Sequence, residues 1–143
     1  MPFPTAYLSF NGNCAEAMRF YEKTLKGKLK AMMSNGESPM ADQMPKELHH
    51  LILHAYLELP DNGILMAGDA PQHMPYEGMK GFMLTMNYAT VLEATEIFNA
   101  LAVGGQVHKP MQPAFWAKTW GALTDRFGTP WIVNGEMLPD LPQ

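Results

Sequence analysis

A single cysteine, Cys14, in 143 residues excludes an intrachain disulfide and fits a reducing compartment. Charge of one sign is also scarce: ten Lys and Arg stand against fourteen Asp and Glu, a net charge of −4, with no basic stripe, Arg cluster or run of like charge. A chain without a basic face cannot neutralise rows of phosphates, so neither nucleic acid nor an anionic membrane surface is expected as a partner. No apolar stretch approaches the roughly 18 residues a membrane span needs. The opening Met1-Pro2-Phe3-Pro4-Thr5-Ala6-Tyr7 has no basic region followed by an apolar run, so the expected location is the cytoplasm. Signatures of phosphate cradles, nucleophile elbows and dithiol redox sites are missing too: there is no P-loop, G-x-S-x-G, G-x-G-x-x-G or C-x-x-C. Cys14 itself falls in the first turn of an expected helix, but no His or Lys flanks it, and it reads as an inert small side chain.

What the chain does have is a phrase written twice. Leu8-Ser9-Phe10-Asn11 leads into a helix carrying Glu16-Ala17, and Leu84-Thr85-Met86-Asn87 leads into one carrying Glu93-Ala94, 77 residues later. A period this long marks two fused modules rather than a solenoid. Two βαβββ modules, about 4–70 and 79–135, are therefore expected within a single domain spanning 1–143, because a chain this size is too short for two independent cores. The fold class is α+β, with eight strands in a curved mixed sheet around a cleft suited to a small molecule. Thirteen methionines are unusual, and Met40, Met44, Met74 and Met79 lie in loop-like stretches, where flexible thioethers suit an adaptable pocket or interface.

Hydrophobic period sets the elements. Residues 5–11 alternate, with Ala6, Leu8 and Phe10 on one face. Asn13 with Glu16 predicts a capping box for a helix whose apolar stripe is Ala17, Phe20, Tyr21 and Leu25, ending at Gly27. Residues 28–34 form the next strand, with Leu29, Ala31 and Met33 facing together, and 35–47 form a loop long enough to cover a site. From His49 to Leu59, Leu51, Leu53, Ala55, Leu57 and Leu59 make an apolar face, while His50, Ile52, His54, Tyr56 and Glu58 make the other. A face mixing imidazole, phenol, carboxylate and an apolar chain reads as a pocket wall. Asp61-Asn62-Gly63 turns the chain into 64–67, and 69–78 form a short connection anchored by Met74 and Tyr76.

In the second half Thr90 with Glu93 predicts another capping box, followed by the stripe Leu92, Ile97, Phe98 and Leu101 and a stop at Gly104-Gly105. Pro110 and Pro113 mark a turn or an irregular edge rather than a central strand. A strand over Phe115–Trp120 precedes a hairpin of 121–124 and 131–134, whose turn Asp125 and Gly128 make. Trp131 belongs to the core, His73 and His108 to loops, and the tail beyond Gly135, with Pro139 and Pro142, is expected to be loosely ordered.

The run Q-P-A-F-W-A-K-T-W-G-A-L-T-D-R-F-G-T-P-W-I-V-N, joined to the opening Y-L-S-F-N-G-N-C-A-E-A-M-R-F-Y, resembles the vicinal oxygen chelate superfamily. This is the glyoxalase, bleomycin-resistance and dioxygenase group, and the resemblance is to its PhnB-like branch, from about Ala6 to Asn134. It implies paired βαβββ modules, eight strands around a cleft and a homodimer. Metal-dependent members carry His, Gln or Glu ligands on the first and last strands of each module. Here those slots fall near 5–7, 65–67, 81–83 and 132–134 and hold no His or carboxylate, so no metal ligand is assigned. The methyltransferase label attached to the branch finds no glycine-rich strand-to-helix turn to hold a cosubstrate, and no cofactor is assigned.

His54 is similar to the His of an H-A pair that recurs in this branch. His50 and His54, at i and i+4 on a strand, lie about 13 Å apart, too far to share one ion. His54 is the candidate general base, with Asp69, which matches the S-D or G-D ending of the branch, as the carboxylate that would set its tautomer. His50, Tyr56, Phe115, Trp116 and Trp120 are the candidate ligand-binding residues, the aromatics as walls for a planar or apolar molecule. Two functions stand open: a binding module that sequesters an apolar or aromatic small molecule without the usual metal, and a metal-dependent or His-based enzyme, of the lyase, isomerase or dioxygenase type.

Overall fold

The structure, a computed structural model, describes residues 2–139 and divides into two compact units between Gly78 and Met79. In the first, β1 (Tyr7–Phe10), α1 (Cys14–Thr24), β2 (Lys28–Ser34), β3 (Ile52–Glu58) and β4 (Ile64–Asp69) build a four-stranded sheet in the order β1-β4-β3-β2. In the second, β5 (Leu84–Tyr88), α2 (Val91–Ala102), β6 (Gln106–Gln112), β7 (Ala117–Thr124) and β8 (Pro130–Met137) follow the order β5-β8-β7-β6. Each sheet has one parallel pair, β1 with β4 and β5 with β8, and its other pairs are antiparallel. The fold is therefore α+β with the βαβββ topology written twice, its eight strands lying in two four-stranded sheets.

Each helix buries one stripe on one face of its own sheet. Cys14, Ala17, Met18 and Tyr21 of α1 share a core with Leu8, Phe10, Ala55, Leu57 and Ala67. Burying a side chain of Leu or Phe size is worth about 1.5–3 kcal/mol, so these stripes hold helix to sheet. In α2 the stripe is Ala94, Ile97, Phe98 and Leu101; Leu92, expected inside, is 71% exposed because it sits in the first turn on the outward side.

The caps differ from expectation. The Asn13 side chain makes no capping bond. Instead Asp69 Oδ1 accepts from the backbone N–H of Gly12 and of Cys14, both at 3.0 Å, a cap delivered from the end of β4. α2 is capped locally, Thr90 Oγ1 accepting from Glu93 N at 3.1 Å. At the other end of α1, Lys26 takes the left-handed turn at φ 59° while Gly27 N donates to Glu22 O, a Schellman closure. Gly27 is needed for space: a Cβ there would lie 2.6 Å from Glu58 O.

Several strands depart from the expected pattern. β3 begins at Ile52, so His50 lies in an exposed turn before it. A register shift between Leu29 and Ala31 turns Met32 toward Ala55 and places Ala31 and Met33 opposite Tyr56 and His54, which reverses the expected alternation. The expected break at Gly121 does not occur, and β7 runs unbroken to Thr124; a Cβ at Gly121 would meet Phe98 at 2.6 Å. β6 includes Pro110 and His108 as an irregular edge strand. β8 continues to Met137 and Leu138 N donates to Trp116 O, so the segment after Gly135 is tied down; Pro142 lies outside the described residues.

The loop after β2 is stitched to itself. Ser34 and Glu37 form a full capping box, Asn35 Nδ2 donates to Leu48 O, and His49 Nε2 sits 2.9 and 3.1 Å from the carbonyls of Ala41 and Met44. Two carbonyls can only accept, so that nitrogen carries the proton.

Candidate functional site

In the second sheet, Gly121 and Gly135 abut Phe98 and Ala94 of α2, which fixes that face as the helix side. Period-two alternation then turns Trp120 and Asn134 to the far side. Register extends them into a row: Asn87 pairs with Asn134, Asn134 with Trp120, and Trp120 with Gln112. Trp116, in the bend before β7, packs on Trp120 with ring centroids 5.1 Å apart, and Phe115 meets Trp116 edge-on at 4.8 Å. The anticipated aromatic cluster forms, though Phe115 and Trp116 precede the strand rather than belonging to it. Phe115 is 77% exposed and both Trp rings are half-buried, so apolar surface is left to offer.

The polar end of this row is wired in one direction. Trp116 Nε1 donates to Asn134 Oδ1 at 3.0 Å, and Asn134 Nδ2 donates to Asn87 Oδ1 at 2.9 Å. Neither asparagine was a sequence candidate. A search for imidazoles and carboxylates passes over amides, although Thr85 and Asn87 stand at the polar positions of an alternating strand.

In the first sheet, the face away from α1 carries Tyr7, Met66, Tyr56 and Ala31 in register. His54 stacks on Tyr7, centroids 6.0 Å apart and planes 26° apart, and Tyr7 donates its hydroxyl to Leu53 O at 3.0 Å. The Tyr7 hydroxyl would lie only 2.7 Å from a Cβ at Gly68, so glycine makes room for it. Burial, and then the neighbouring Cys14 sulfur, raises the Tyr7 phenol above its ordinary value, which keeps the hydroxyl protonated. His54 and Tyr56 share this wall as expected, whereas His50 is outside the strand.

Asp69 goes elsewhere. It alternates with Ala67 and Leu65 on the helix side, and its second oxygen accepts from Ile52 N at 2.8 Å. With three backbone N–H groups on its carboxylate, Asp69 joins the start of α1 to the start of β3, and the anticipated His54–Asp69 pair is replaced by the Tyr7 stack. Cys14 is buried, and burial followed by the nearby Asp69 charge pushes its thiol up to about 12, the inert state expected.

The glyoxalase/bleomycin resistance protein/dioxygenase superfamily model matches residues 6–133. The chain belongs to this superfamily. It is 33% identical to protein YjdN of Escherichia coli K12 over 136 residues, covering 90% of this chain and 91% of that one. Among solved structures it is similar to protein PA1353 of Pseudomonas aeruginosa, with 43% identity, a TM-score of 0.86 and coverage of 94% and 97%. It also shares its fold with the PhnB protein from Bacillus cereus, at 22% identity, TM-score 0.76 and coverage of 93% and 98%.

Superfamily metal centres need convergent His, Gln or Glu ligands on the terminal strands. At those strands this chain turns Tyr7, Met66, Thr85 and Asn134 away from the helices. Among the described residues no three His, Cys, Asp or Glu side chains gather into a group able to hold an ion. The residues present do not fit a centre of that type.

Proposed function

We propose that this superfamily member is a small-molecule binding protein that takes a planar apolar or aromatic ligand against Trp116 and Trp120, without the usual metal centre. The observation that carries the reading is the aromatic trio of exposed Phe115 and half-buried Trp116 and Trp120, beside a polar amide row on the far face of the second sheet. Aromatic stacking holds planar molecules through area and ring geometry, with little demand for charge. The reading extends to a cytoplasmic homodimer, which sedimentation equilibrium checks.

Titration with 1-anilinonaphthalene-8-sulfonate, followed by tryptophan quenching, tests the binding reading. One saturable site per chain is expected, weakened about tenfold by Trp120→Ala, as befits the loss of one stacking wall. No saturable binding, or binding by Trp116→Ala and Trp120→Ala as tight as that of the wild type, would contradict it.

A second reading draws on the Tyr7–His54 stack and Tyr56: an enzyme in which His54 moves a proton on a small substrate. Asp69 then acts only by positioning the start of β3. Elemental analysis tests a metal-dependent form of this second reading, which one metal per chain that is lost in His54→Ala would favour, whereas metal-free protein that binds the dye favours sequestration.

A further inference from the structure

The hydrogen bonds of the second sheet settle which way two side-chain amides face. An indole nitrogen can only donate, so the Asn134 atom 3.0 Å from Trp116 Nε1 must be its oxygen. The Asn134 nitrogen then faces Asn87 at 2.9 Å, and the Asn87 atom receiving it must also be an oxygen. Asn134 is 5% exposed and packed in place, whereas Asn87 is exposed. The remaining group of Asn87 is its NH₂, with two donors and no protein acceptor among the described residues. Amide orientation is ordinarily ambiguous. Here a donor-only tryptophan fixes it through two links.

We infer that Asn87 is a specificity-determining residue, its outward NH₂ selecting ligands that pair a planar aromatic body with a hydrogen-bond acceptor such as a carbonyl, carboxylate or sulfonate oxygen. The inference rests on the binding reading above and deepens it. Register supplies the scale: Asn87 and Trp120 are two strands apart across the sheet, about 10 Å at ordinary strand spacing. A bicyclic aromatic carrying one carbonyl substituent bridges a ring stacked near Trp120 and a donor at Asn87. Trp116 serves twice, its ring as a wall and its N–H as the origin of the relay.

Two probes of near-equal shape, 2-acetylnaphthalene and 2-ethylnaphthalene, differ in the acceptor. The wild-type chain is expected to bind the ketone more tightly by up to about tenfold, the upper end of the net worth of one hydrogen bond. Asn87→Asp keeps an oxygen for Asn134 Nδ2 but replaces the outward donors with a charged acceptor, and it should reverse the preference. Trp116→Phe keeps an aromatic wall but frees the Asn134 amide to turn, and should shrink the preference to about twofold. If both probes bind the wild type equally, and Trp120→Ala weakens both, the inference is overturned while the binding reading stands. If neither probe binds, the reading itself falls and the inference with it.

Discussion

Across each sheet, on the side away from its helix, runs a row of four residues in register: Tyr7, Met66, Tyr56 and Ala31 in the first, Asn87, Asn134, Trp120 and Gln112 in the second. The topology is the same and the chemistry is not. The first row offers a phenol stacked on His54, a group able to carry a proton; the second offers indole walls and a directed amide chain, groups suited to hold and discriminate. The same divergence runs through the scaffold. α1 is capped from the end of β4 by Asp69, while α2 is capped by its own Thr90. The turn before β4 rests on Asp61 and Asn62 in left-handed conformation, whereas the turn before β8 is organised by buried Asp125. Sharing a strand order therefore constrains neither the site nor the devices that hold it.

The two turns give the largest contrast. Asp125 accepts from Phe127 N, Thr129 N and Trp131 Nε1 at 2.9, 3.1 and 2.8 Å. Asp125→Ala strands these buried donors and should cost about 3–4 kcal/mol in urea unfolding. Asp61→Gly, at φ 59° on the surface, should change stability by less than about 0.5 kcal/mol, since glycine adopts that conformation freely.

The caps come next. Asp69→Ala should cost about 2 kcal/mol, because it releases the start of β3 as well as the helix; Thr90→Ala should cost about 1 kcal/mol, the ordinary worth of a local cap. Equal costs would remove the distinction between a remote and a local device.

The smallest effect is at high pH. The Cys14 thiol and the Tyr88 phenol are both held up at about 12, each chiefly by burial, from ordinary values of 9.0 and 10.0. Groups raised on folding contribute stability that is intact below their ordinary values and is lost as pH rises toward about 12. The unfolding midpoint should thus be flat through pH 8 and fall above about 9, less steeply in Cys14→Ala. Folded protein at pH 8 should resist iodoacetamide, and urea-unfolded protein should react.

Much of the scaffold was legible because it follows local periods. Both helices, the strand over 28–34 and the Asp125 turn come from spacing within a dozen residues. Long-range terms were not legible. Nothing around Asn13 reveals that a carboxylate at Asp69 will take its place, and Gly121 reads as a break until Phe98 lies against it. In the site, His54 with Tyr56 and Trp116 with Trp120 were readable as same-face or neighbouring residues. Asn87 and Asn134 were not, because an uncharged amide acquires direction only once Trp116 is seated against it.

The most direct test is a ¹H–¹⁵N spectrum of the labelled chain during titration with 2-acetylnaphthalene. The side-chain signals of Trp116 Nε1, Trp120 Nε1 and Asn87 Nδ2 should shift together and saturate with one ligand per chain. Shifts centred on Tyr7, His54 and Tyr56, with those three signals unmoved, would place binding on the first sheet and contradict the account.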